Sequence, residues 1–410
     1  MDDRRFSFYI VDDDEIFVRL LSRFLEPLSH TTHSSTSSLS ALEDIPRKRP
    51  DCVLLDMMMP GLDGLELLKR LRATPGLEKL KIVMVTGKSY EFDRQRAIGF
   101  GADGYIIKPV DAENFPKQVR RILEDYMELT FWGVRGTLPV PGSKTVLYGG
   151  NTPCVSIRFP RGNLFIFDAG TGIKSLSDHL MAIKRPLINA KIFISHPHWD
   201  HINALPFFAP LYVQGNHIEI LGPSHGDISV RDMISGQMDG VYFPIRIKEF
   251  SAHVVFRDLN EETIDIDGIQ VRTMLLNHPG HCLGYRVTYG GKSICYATDN
   301  ELYPPDSPQH NAFYLLQLTE FVRGADALII DCTFRAAEYA GKTGWGHSAV
   351  PQVVALAHAA AVDALFLFHH DPSQTDEDIA NKNDEAVALL KEKNSSVRCI
   401  TPKEKDVFKF

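Results

Sequence analysis

The sequence predicts an α/β protein built from two domains, and three observations lead to that expectation. Short apolar runs alternate with helical patterns over roughly the first 125 residues, which is typical of a parallel sheet with helices on both faces. Beyond that point the pattern changes to short strands, glycine-rich turns and clustered histidines. A chain of 410 residues is long for one domain and sufficient for two. We therefore place one domain at 1–126 and a second at 127–410.

The composition narrows the class of protein further. Hydrophobic residues make up 44% of the chain and charged residues 23%, which is typical of a globular protein. The formal charge of -8 argues against non-specific nucleic-acid binding, which normally uses a basic surface. No apolar run approaches the ~20 residues of a membrane span, and the start of the chain lacks a signal-peptide pattern. The six cysteines show no CxxC spacing, so we expect reduced thiols and a cytoplasmic protein.

In the first domain, four apolar runs predict strands and three amphipathic runs predict helices. The strands are expected at 6–11, 52–55, 81–85 and 104–107, and the helices at 16–28, 62–72 and 111–126. The polar stretch 29–38 is either a loop or a weak strand. Each predicted strand is directly followed by a polar residue. This matters because the functional groups of an open parallel sheet gather at the carboxyl ends of its strands.

The polar residues at these strand ends suit phosphoryl chemistry. Asp12, Asp13 and Asp56 would form an oxygen-only set, which is what Mg²⁺ prefers. Lys108 could pair with a phosphoryl group, and the hydroxyl of Thr86 could hydrogen-bond to one. A carboxylate in this setting is a plausible phosphoryl acceptor.

Residues 6–125 resemble a response-regulator receiver domain through the motifs IVDDDE, LLDMMMPGLDG, VMVTG and GYIIKPVD. By position, the resemblance implies that Asp12, Asp13 and Asp56 hold Mg²⁺ and that Asp56 accepts the phosphoryl group. It also implies a switch hydroxyl at Thr86, an aromatic switch at Tyr105 and a phosphate-binding lysine at Lys108. The implied partner is a sensor histidine kinase or a phosphotransfer protein.

In the second domain, ten short strands and four helices are predicted. The strands are expected at 128–132, 155–158, 164–167, 191–194, 218–221, 271–276, 285–287, 293–296, 327–330 and 364–368. The helices are expected at 173–182, 313–322, 350–361 and 376–394.

The segment SHPHWDH at 195–201 directly follows one of these predicted strands. It offers four potential metal ligands within six residues, a density that is difficult to explain by packing or by a solvated surface. Neutral imidazoles and carboxylates are ligands for Zn²⁺, Mn²⁺ or Fe. The segment therefore predicts a metal site, and the residues leave the identity of the metal open.

With its flanking motifs FDAGTG, NHPGHCLGY, YATDN, IIDCTF, GWGHSA and FHHDP, this segment resembles the metallo-β-lactamase superfamily. The resemblance implies an αββα sandwich that binds two divalent metals at one edge. The ligands that it implies are His196, His198 and His278 for one metal, Asp200, His201 and His369 for the second, and Asp299 between the two. His281 lies in the same motif as His278, and His370 is adjacent to His369, so a contribution from either residue stays open.

The branch that the chain resembles most includes ribonuclease Z and cyclic-nucleotide phosphodiesterases. The resemblance implies a phosphodiesterase with Asp200 and His347 as catalytic residues, and Asp331 as the group that orients His347. A cyclic nucleotide or cyclic dinucleotide is the expected substrate, because a receiver controlled by phosphorylation of Asp56 suits a signalling enzyme. The alternatives are a ribonuclease Z-like nuclease, a lactonase or thioesterase, and a non-enzymatic metal-dependent sensor.

Several further expectations follow. We find no DNA-reading segment in the sequence, so the output is not expected to be transcriptional, and a homodimer is left open. Arg135 and Asn151 are candidates to approach a phosphate or to lie on the surface. Asp168 is expected to hold a turn.

Overall fold

The computed structural model describes residues 5–182, 188–241 and 243–410. The chain divides into two compact units, one made mainly of residues up to Met127 and one made mainly of residues from Glu128 onward. Of the described residues, no helix is long and apolar enough to cross a membrane.

Within the described part of the first unit, five parallel strands form one sheet in the order β2-β1-β3-β4-β5. The strands are β1 Phe6–Val11, β2 Ser29–Ser35, β3 Cys52–Leu55, β4 Lys81–Thr86 and β5 Gly104–Ile107. The helices are α1 Glu15–Leu25, α2 Ser38–Lys48, α3 Gly64–Ala73, α4 Glu91–Gly99 and α5 Asn114–Glu124.

Side chains of β1 show why helices cover both faces of this sheet. Tyr9 and Val11 belong to one apolar cluster, whereas Phe8 and Ile10 belong to another. Because successive side chains of a strand point to opposite faces, the two clusters lie on opposite sides. The doubly wound fold expected from the sequence is therefore confirmed.

Three elements of this unit were not clear from the sequence. Segment 29–35 is a strand although it contains no aliphatic residue, because it pairs along its whole length with β1. The helix α2 was not predicted, since Pro46 lies inside it; its first turn is capped by the side chain of Ser37. The helix α4 is short and polar, and its amphipathic pattern is weak.

In the described part of the second unit, two seven-stranded sheets are present, ordered β11-β10-β9-β8-β7-β6-β19 and β12-β13-β14-β15-β16-β17-β18. The strands of the first sheet are β6 Glu128–Gly133, β7 Cys154–Arg158, β8 Leu164–Phe167, β9 Asn189–Phe193, β10 His217–Pro223, β11 His253–Leu259 and β19 Val407–Lys409. Those of the second are β12 Thr263–Ile266, β13 Ile269–Leu275, β14 Leu283–Tyr289, β15 Lys292–Ala297, β16 Ala327–Asp331, β17 Ala364–Phe368 and β18 Arg398–Ile400. The α-helices are α6 Gly172–Met181, α7 Trp199–Ile202, α8 Val230–Gln237, α9 Ala312–Val322, α10 Ala336–Tyr339, α11 Val350–Ala359 and α12 Asp376–Glu392.

The two sheets pack face to face through aromatic side chains. Phe131 of β6 stacks on Phe366 of β17 with ring centroids 5.5 Å apart, and Phe193 of β9 meets Tyr285 of β14 at 5.4 Å. The outer face of the second sheet is covered by α9, α11 and α12 through a large apolar cluster. The helices α6 and α8 pack on strands of the first sheet. This is the αββα sandwich that the resemblance implied.

The elements that the sequence did not predict here are short or exposed. They comprise β11, β12, β18, β19, α7, α8 and α10. In β11 most side chains are exposed or half-buried, so a clear apolar alternation is absent. The three-residue strands β18 and β19 each pair at the edge of one of the two sheets and carry too few residues for a periodic pattern.

Candidate functional site

The histidines and aspartates singled out in the second unit come together at one edge of the sandwich. His196 and His198 lie in the loop after β9, and α7 carries Asp200 and His201. The other residues follow strands of the second sheet: His278 after β13, Asp299 after β15 and His369 after β17. Loops at the ends of neighbouring strands can bring distant parts of the chain to one place, which explains how residues more than 150 positions apart converge.

Their ligand atoms form three overlapping groups in which all atoms lie within 4.8 Å of one another. Asp299 and His369 each belong to two of these groups, so the groups make one continuous cluster. The groups are His196, His198, His278 and Asp299; Asp200, His201 and His369; and Asp299, Asp331, His347 and His369.

Asp299 lies at the centre of the cluster and points its two carboxylate oxygens in different directions. Its Oδ2 is 3.4 Å from Nε2 of His196, and its Oδ1 is 3.3 Å from Nε2 of His201 and 3.0 Å from Nε2 of His369. Asp200 approaches the same two imidazoles, with Oδ2 3.2 Å from each Nε2. One carboxylate therefore faces both sets of nitrogens, which is the position that a bridging ligand requires.

Two buried imidazoles in the cluster have a nitrogen that lies near carboxylate oxygens but makes no hydrogen bond. The Nε2 atoms of His196 and His201 make no hydrogen bond, although both side chains are fully buried. Their other nitrogens are held in place: Nδ1 of His201 is 2.7 Å from Asp168, and Nδ1 of His196 is 3.0 Å from the hydroxyl of Ser195. A buried polar atom without a partner is costly, and a metal ion is a natural acceptor of these lone pairs. The donor set thus fits divalent cations of the zinc type.

The electrostatics of the cluster keep its carboxylates ionised. Burial alone would raise the pKa of Asp299, but neighbouring imidazoles hold that pKa well below its usual value. The pKa of Asp200 is likewise held low, chiefly by His201 and against the effect of burial. Burial opposes protonation of His369, yet Asp299 and Asp200 raise its pKa to about 10. Burial, together with the neighbouring imidazoles, lowers the pKa of His196. Ionised carboxylates beside imidazoles provide the charge that cations need.

His347 forms a separate pair with a buried carboxylate beside the cluster. Its Nδ1 is 2.6 Å from Oδ2 of Asp331, and its ring stacks on that of His369 with centroids 4.9 Å apart. Asp331 is itself fixed, because Oδ1 accepts hydrogen bonds from the backbone and hydroxyl of Thr333. Burial would lower the pKa of His347, but Asp331 raises it. The pair therefore holds a protonatable imidazole beside the cluster.

The loop that carries His347 is held by a buried acid that the sequence did not reveal. Glu301 is almost completely buried and accepts hydrogen bonds of 2.7 Å from the backbone of Gly344 and Gly346 and from the hydroxyl of Tyr339. The carbonyl of Gly346 is 2.9 Å from Nδ1 of His278, the usual second partner of a ligating imidazole. Gly346 has a φ of +86°, and a Cβ there would lie 2.4 Å from the His278 ring, so only glycine fits.

Asp168 has a larger role than the turn expected from the sequence. Its backbone does turn, with a φ of 60°, and its carboxylate accepts hydrogen bonds from Ser195 and from the hydroxyl of Tyr296 as well as contacting His201. It therefore orients the loop of the SHPHWDH motif and the imidazole of His201. The sequence feature that points to this role is the position of Asp168 in the FDAGTG motif, directly after β8.

Arg135 is buried and Asn151 is half-buried, and the side chains of both bond to other groups of the protein. Arg135 is completely buried and donates to the carbonyls of Gly149 and Gln374, while the Asn151 amide donates to Glu404. Both residues fix the loop of the FWGVRGTLPVPG motif. The backbone of that loop contacts the cluster itself, because the N–H of Thr137 donates to Asp200 at 2.7 Å.

The two histidines left open by the sequence lie outside the cluster. His281 is exposed, with Nδ1 3.3 Å from the carbonyl of Ser224. His370 is buried on another side of its loop, where Nδ1 is 3.2 Å from the ammonium of Lys382. Neither belongs to any of the three groups of potential ligands.

In the first unit, the polar residues at the strand ends also converge. The ammonium of Lys108 lies 2.7 Å from Oδ2 of Asp12 and 2.8 Å from Oδ1 of Asp56. Burial raises the pKa of Asp12; it would lower that of Lys108, but the two carboxylates raise it. Asp13 is exposed beside this pair, and Thr86 is buried at the end of β4. Tyr105 is buried, and its hydroxyl donates to the carbonyl of Lys88 at 2.9 Å.

Family models match both regions. A response regulator receiver domain matches residues 8–120, and a beta-lactamase superfamily domain matches residues 164–370, which is just over half of the chain.

Similar proteins match one region each. The phosphate regulon transcriptional regulatory protein PhoB of Rhizobium meliloti is 33% identical over 114 residues, which are 28% of this chain and 50% of PhoB. The alkaline phosphatase synthesis transcriptional regulatory protein PhoP of Bacillus subtilis is 36% identical over 116 residues, 28% of this chain and 47% of PhoP. The chain thus spans about half the length of these curated relatives.

Among solved structures, the metallo-beta-lactamase fold protein YhfI from Bacillus subtilis has a TM-score of 0.50 at 17% identity, covering 70% of this chain and 100% of YhfI. At this identity the likeness concerns the fold alone. The chain therefore belongs to the beta-lactamase superfamily, and it carries a response regulator receiver domain ahead of that region.

Proposed function

We propose that the second domain is a metal-dependent phosphodiester hydrolase acting on a small substrate, a cyclic nucleotide or a cyclic dinucleotide. The observation that carries this proposal is the buried cluster of imidazoles and ionised carboxylates with the His347–Asp331 pair at its side. The pairing of a metal-binding cluster with an oriented protonatable group is what the hydrolysis of an ester with a poor leaving group requires.

The proposed ligands divide into two sets around Asp299. His196, His198 and His278 would hold one cation and Asp200, His201 and His369 the other. If bound there, two divalent ions such as zinc, manganese or iron would supply a nucleophile from water near neutral pH and would stabilise negative charge on the phosphoryl oxygens.

His347 would protonate the leaving oxygen of the substrate. Asp331 accepts the Nδ1 proton, so Nε2 is the atom left to exchange a proton with the substrate. A general acid of this kind contributes roughly 10²–10⁴-fold to the rate. Asp200 would fix the other side of the site, where it is held by the backbone of Thr137.

The charge of the domain favours a small anionic substrate over a long polyanion. Residues 128–410 contain 31 acidic residues and 25 lysines and arginines, a net charge of about -6. A negative surface repels a nucleic-acid backbone, so attraction must come from the cluster itself, which acts at short range.

The test is a substrate panel on protein loaded separately with zinc, manganese and iron. We expect cyclic nucleotides or cyclic dinucleotides to be hydrolysed faster than RNA and lactones. Preference for RNA would favour the ribonuclease Z-like alternative, and preference for a lactone or thioester would favour the ester hydrolases. A fully loaded protein that is inert on every substrate would contradict the hydrolase proposal and favour a metal-dependent sensor.

We also propose that phosphorylation of Asp56 controls this activity, with a sensor kinase or phosphotransfer protein as donor and Mg²⁺ held by Asp12, Asp13 and Asp56. Such a donor lies inside the cell, so we place the protein in the cytoplasm. Lys108 already contacts Asp56 and would pair with the added phosphoryl group, while Thr86 and Tyr105 would respond as the switch residues. Only residues 125–127 separate α5 from β6. So short a connection could absorb little of a movement of α5.

Turnover with and without an acyl-phosphate mimic tests this control. We expect a change of about 5- to 150-fold, which is the usual range of coupling between sites. The variant Asp56→Ala should not respond to the mimic. Equal rates in all three conditions would contradict regulation by Asp56 and leave the hydrolase proposal intact.

A further inference from the structure

Two tryptophans on the loops of the metal cluster are largely exposed to solvent. The exposed fraction is 82% for Trp199 and 62% for Trp345. Trp132, the third tryptophan of the chain, is 6% exposed and donates from Nε1 to the hydroxyl of Ser156. Large aromatic side chains normally bury most of their surface, so exposure beside a functional site indicates a contact surface.

Both indoles are attached to backbone that is held in place, by residues of the cluster beside Trp199 and by Glu301 beside Trp345. Trp199 lies between His198 and Asp200 and begins α7. Trp345 lies between Gly344 and Gly346, whose N–H groups both donate to the buried Glu301. A side chain mounted on such a segment offers a rigid surface, and rigidity reduces the entropy cost of binding.

The two loops border the accessible side of the cluster. His198 is exposed and His347 is half-buried, whereas the side chain of His278 and the imidazoles of the second proposed metal are buried. The ring centroids of His198 and His278 are 5.0 Å apart, and those of His278 and His347 are 5.4 Å apart. These three imidazoles therefore form a continuous row that runs from the loop of Trp199 to the loop of Trp345.

We propose that Trp199 and Trp345 stack against the planar base of a nucleotide substrate whose phosphodiester group lies on the cluster. This inference rests on the proposed function and adds the part of the substrate that is recognised. An indole offers a large planar surface, and every nucleobase has a matching π-face. The one cation near these rings, among the described contacts, is Lys342, which lies 5.8 Å from the Trp345 ring and is paired with Asp371. A planar uncharged group therefore suits these rings better than a second phosphate does.

Intrinsic fluorescence tests the binding step directly. Titration with thymidine 5′-monophosphate should quench the two exposed indoles, while ribose 5-phosphate, which lacks a base, should not. Trp199→Leu and Trp345→Leu should each weaken nucleotide binding by about 5- to 150-fold, the range expected for one base–aromatic stack. Trp199→Phe and Trp345→Phe should restore most of the affinity. Phe313→Leu, which removes an aromatic ring that is 68% exposed on α9, should bind like the wild type.

Kinetics separate this inference from the proposed function. Thymidine 5′-monophosphate p-nitrophenyl ester and ethyl p-nitrophenyl phosphate share a leaving group, and the second has an ethyl group in place of the nucleoside, so the leucine variants are needed to assign any preference to the base. We expect the wild type to prefer the thymidine ester and the two leucine variants to lose that preference with unchanged metal content. Equal rates on both esters, or equal quenching by ribose 5-phosphate, would overturn the stacking proposal while leaving a phosphodiesterase. Base-dependent quenching in a protein that hydrolyses neither ester would support stacking and contradict the proposed function.

Discussion

The receiver site and the metal cluster occupy equivalent places in two different folds, yet they balance their charges differently. Both lie where strands end, and both gather carboxylates from distant parts of the chain. In the receiver, Lys108 supplies a positive charge within 2.8 Å of Asp12 and Asp56. In the cluster, the groups that face Asp200 and Asp299 are imidazoles, and the buried Nε2 atoms of His196 and His201 make no hydrogen bond.

The difference indicates how strongly each site depends on a metal ion. A site whose carboxylates already face an ammonium group can fold with or without Mg²⁺, which suits a switch. In the buried cluster, where two nitrogens make no hydrogen bond, cations would accept the nitrogen lone pairs and balance the charge of the carboxylates, so we expect metal binding there to be coupled to folding. We therefore expect the receiver to fold with or without Mg²⁺ and the cluster to need bound metal for its stability.

The largest effect that we predict is a difference in activity between alanine substitutions of two histidines in one motif. His278→Ala should lower kcat/KM by about 10⁴-fold or more and reduce the bound metal, because it removes a proposed ligand of the site that supplies the nucleophile. His281→Ala, three residues away and exposed, should keep both. Rates and metal content of the purified variants measure the contrast. Similar losses in both variants would mean that the site is not where we place it.

A smaller loss should follow from changes to the pair beside the cluster. His347→Gln should lower kcat by roughly 10²–10⁴-fold on a substrate with an alkoxide leaving group, and by less on a p-nitrophenyl ester, which needs no protonation. Asp331→Asn should act in the same direction, since it replaces the charged acceptor that orients His347 with a neutral amide. Metal content should stay at the wild-type value. Loss of metal in His347→Gln would identify His347 as a ligand, as its membership in one ligand group would allow.

The smallest effect concerns stability and lies in the receiver. Lys108→Met leaves Asp12 and Asp56 without their shared cation, which should cost about 1–3 kcal/mol of unfolding free energy. Mg²⁺ should restore more stability in this variant than it adds to the wild type, because it takes over the role of the ammonium group. Thermal melts with and without Mg²⁺ compare the two proteins, and Lys117→Met, at a surface salt bridge on α5, serves as the control. Equal responses to Mg²⁺ would show that the lysine does not balance the charge of this site.

Much of the cluster was accessible from the sequence because its ligands follow apolar strands in short motifs. His196, His198, Asp200 and His201 lie within one such motif, so their convergence needs only local structure. The side chains of His369 and His370 point in different directions for a reason that differs from the one expected. Strand alternation suggested that only one of them could face the metals, but β17 ends at Phe368, and His369 has a φ of 59°. A turn, and not the alternation of a strand, separates the two side chains.

The residues that hold the proposed ligands in place could not be identified from the sequence in this way. The carboxylate of Glu301 accepts hydrogen bonds from residues 38 or more positions away, and Lys382 donates to the carbonyls of Cys332 and Thr333 from inside α12. Both are buried charged residues, and nothing in a single sequence distinguishes a buried lysine or glutamate from the more common exposed one. Arg135 misled the interpretation for the same reason, since a motif with arginine and glycine suggests phosphate binding, whereas its guanidinium is wholly internal. Contacts with residues far away in the sequence determine the burial of these three side chains.

Metal quantification on protein that has been stripped with a chelator and then reloaded tests the central claim most directly. We predict that the reloaded wild type retains two divalent ions in the histidine cluster, unfolds at a higher temperature than the stripped protein and regains hydrolytic activity with the metal. His196→Ala, which removes a buried ligand, should retain less metal and lose the thermal shift. A wild-type protein that binds no divalent ion tightly, or that is equally stable and active after stripping, would contradict the account.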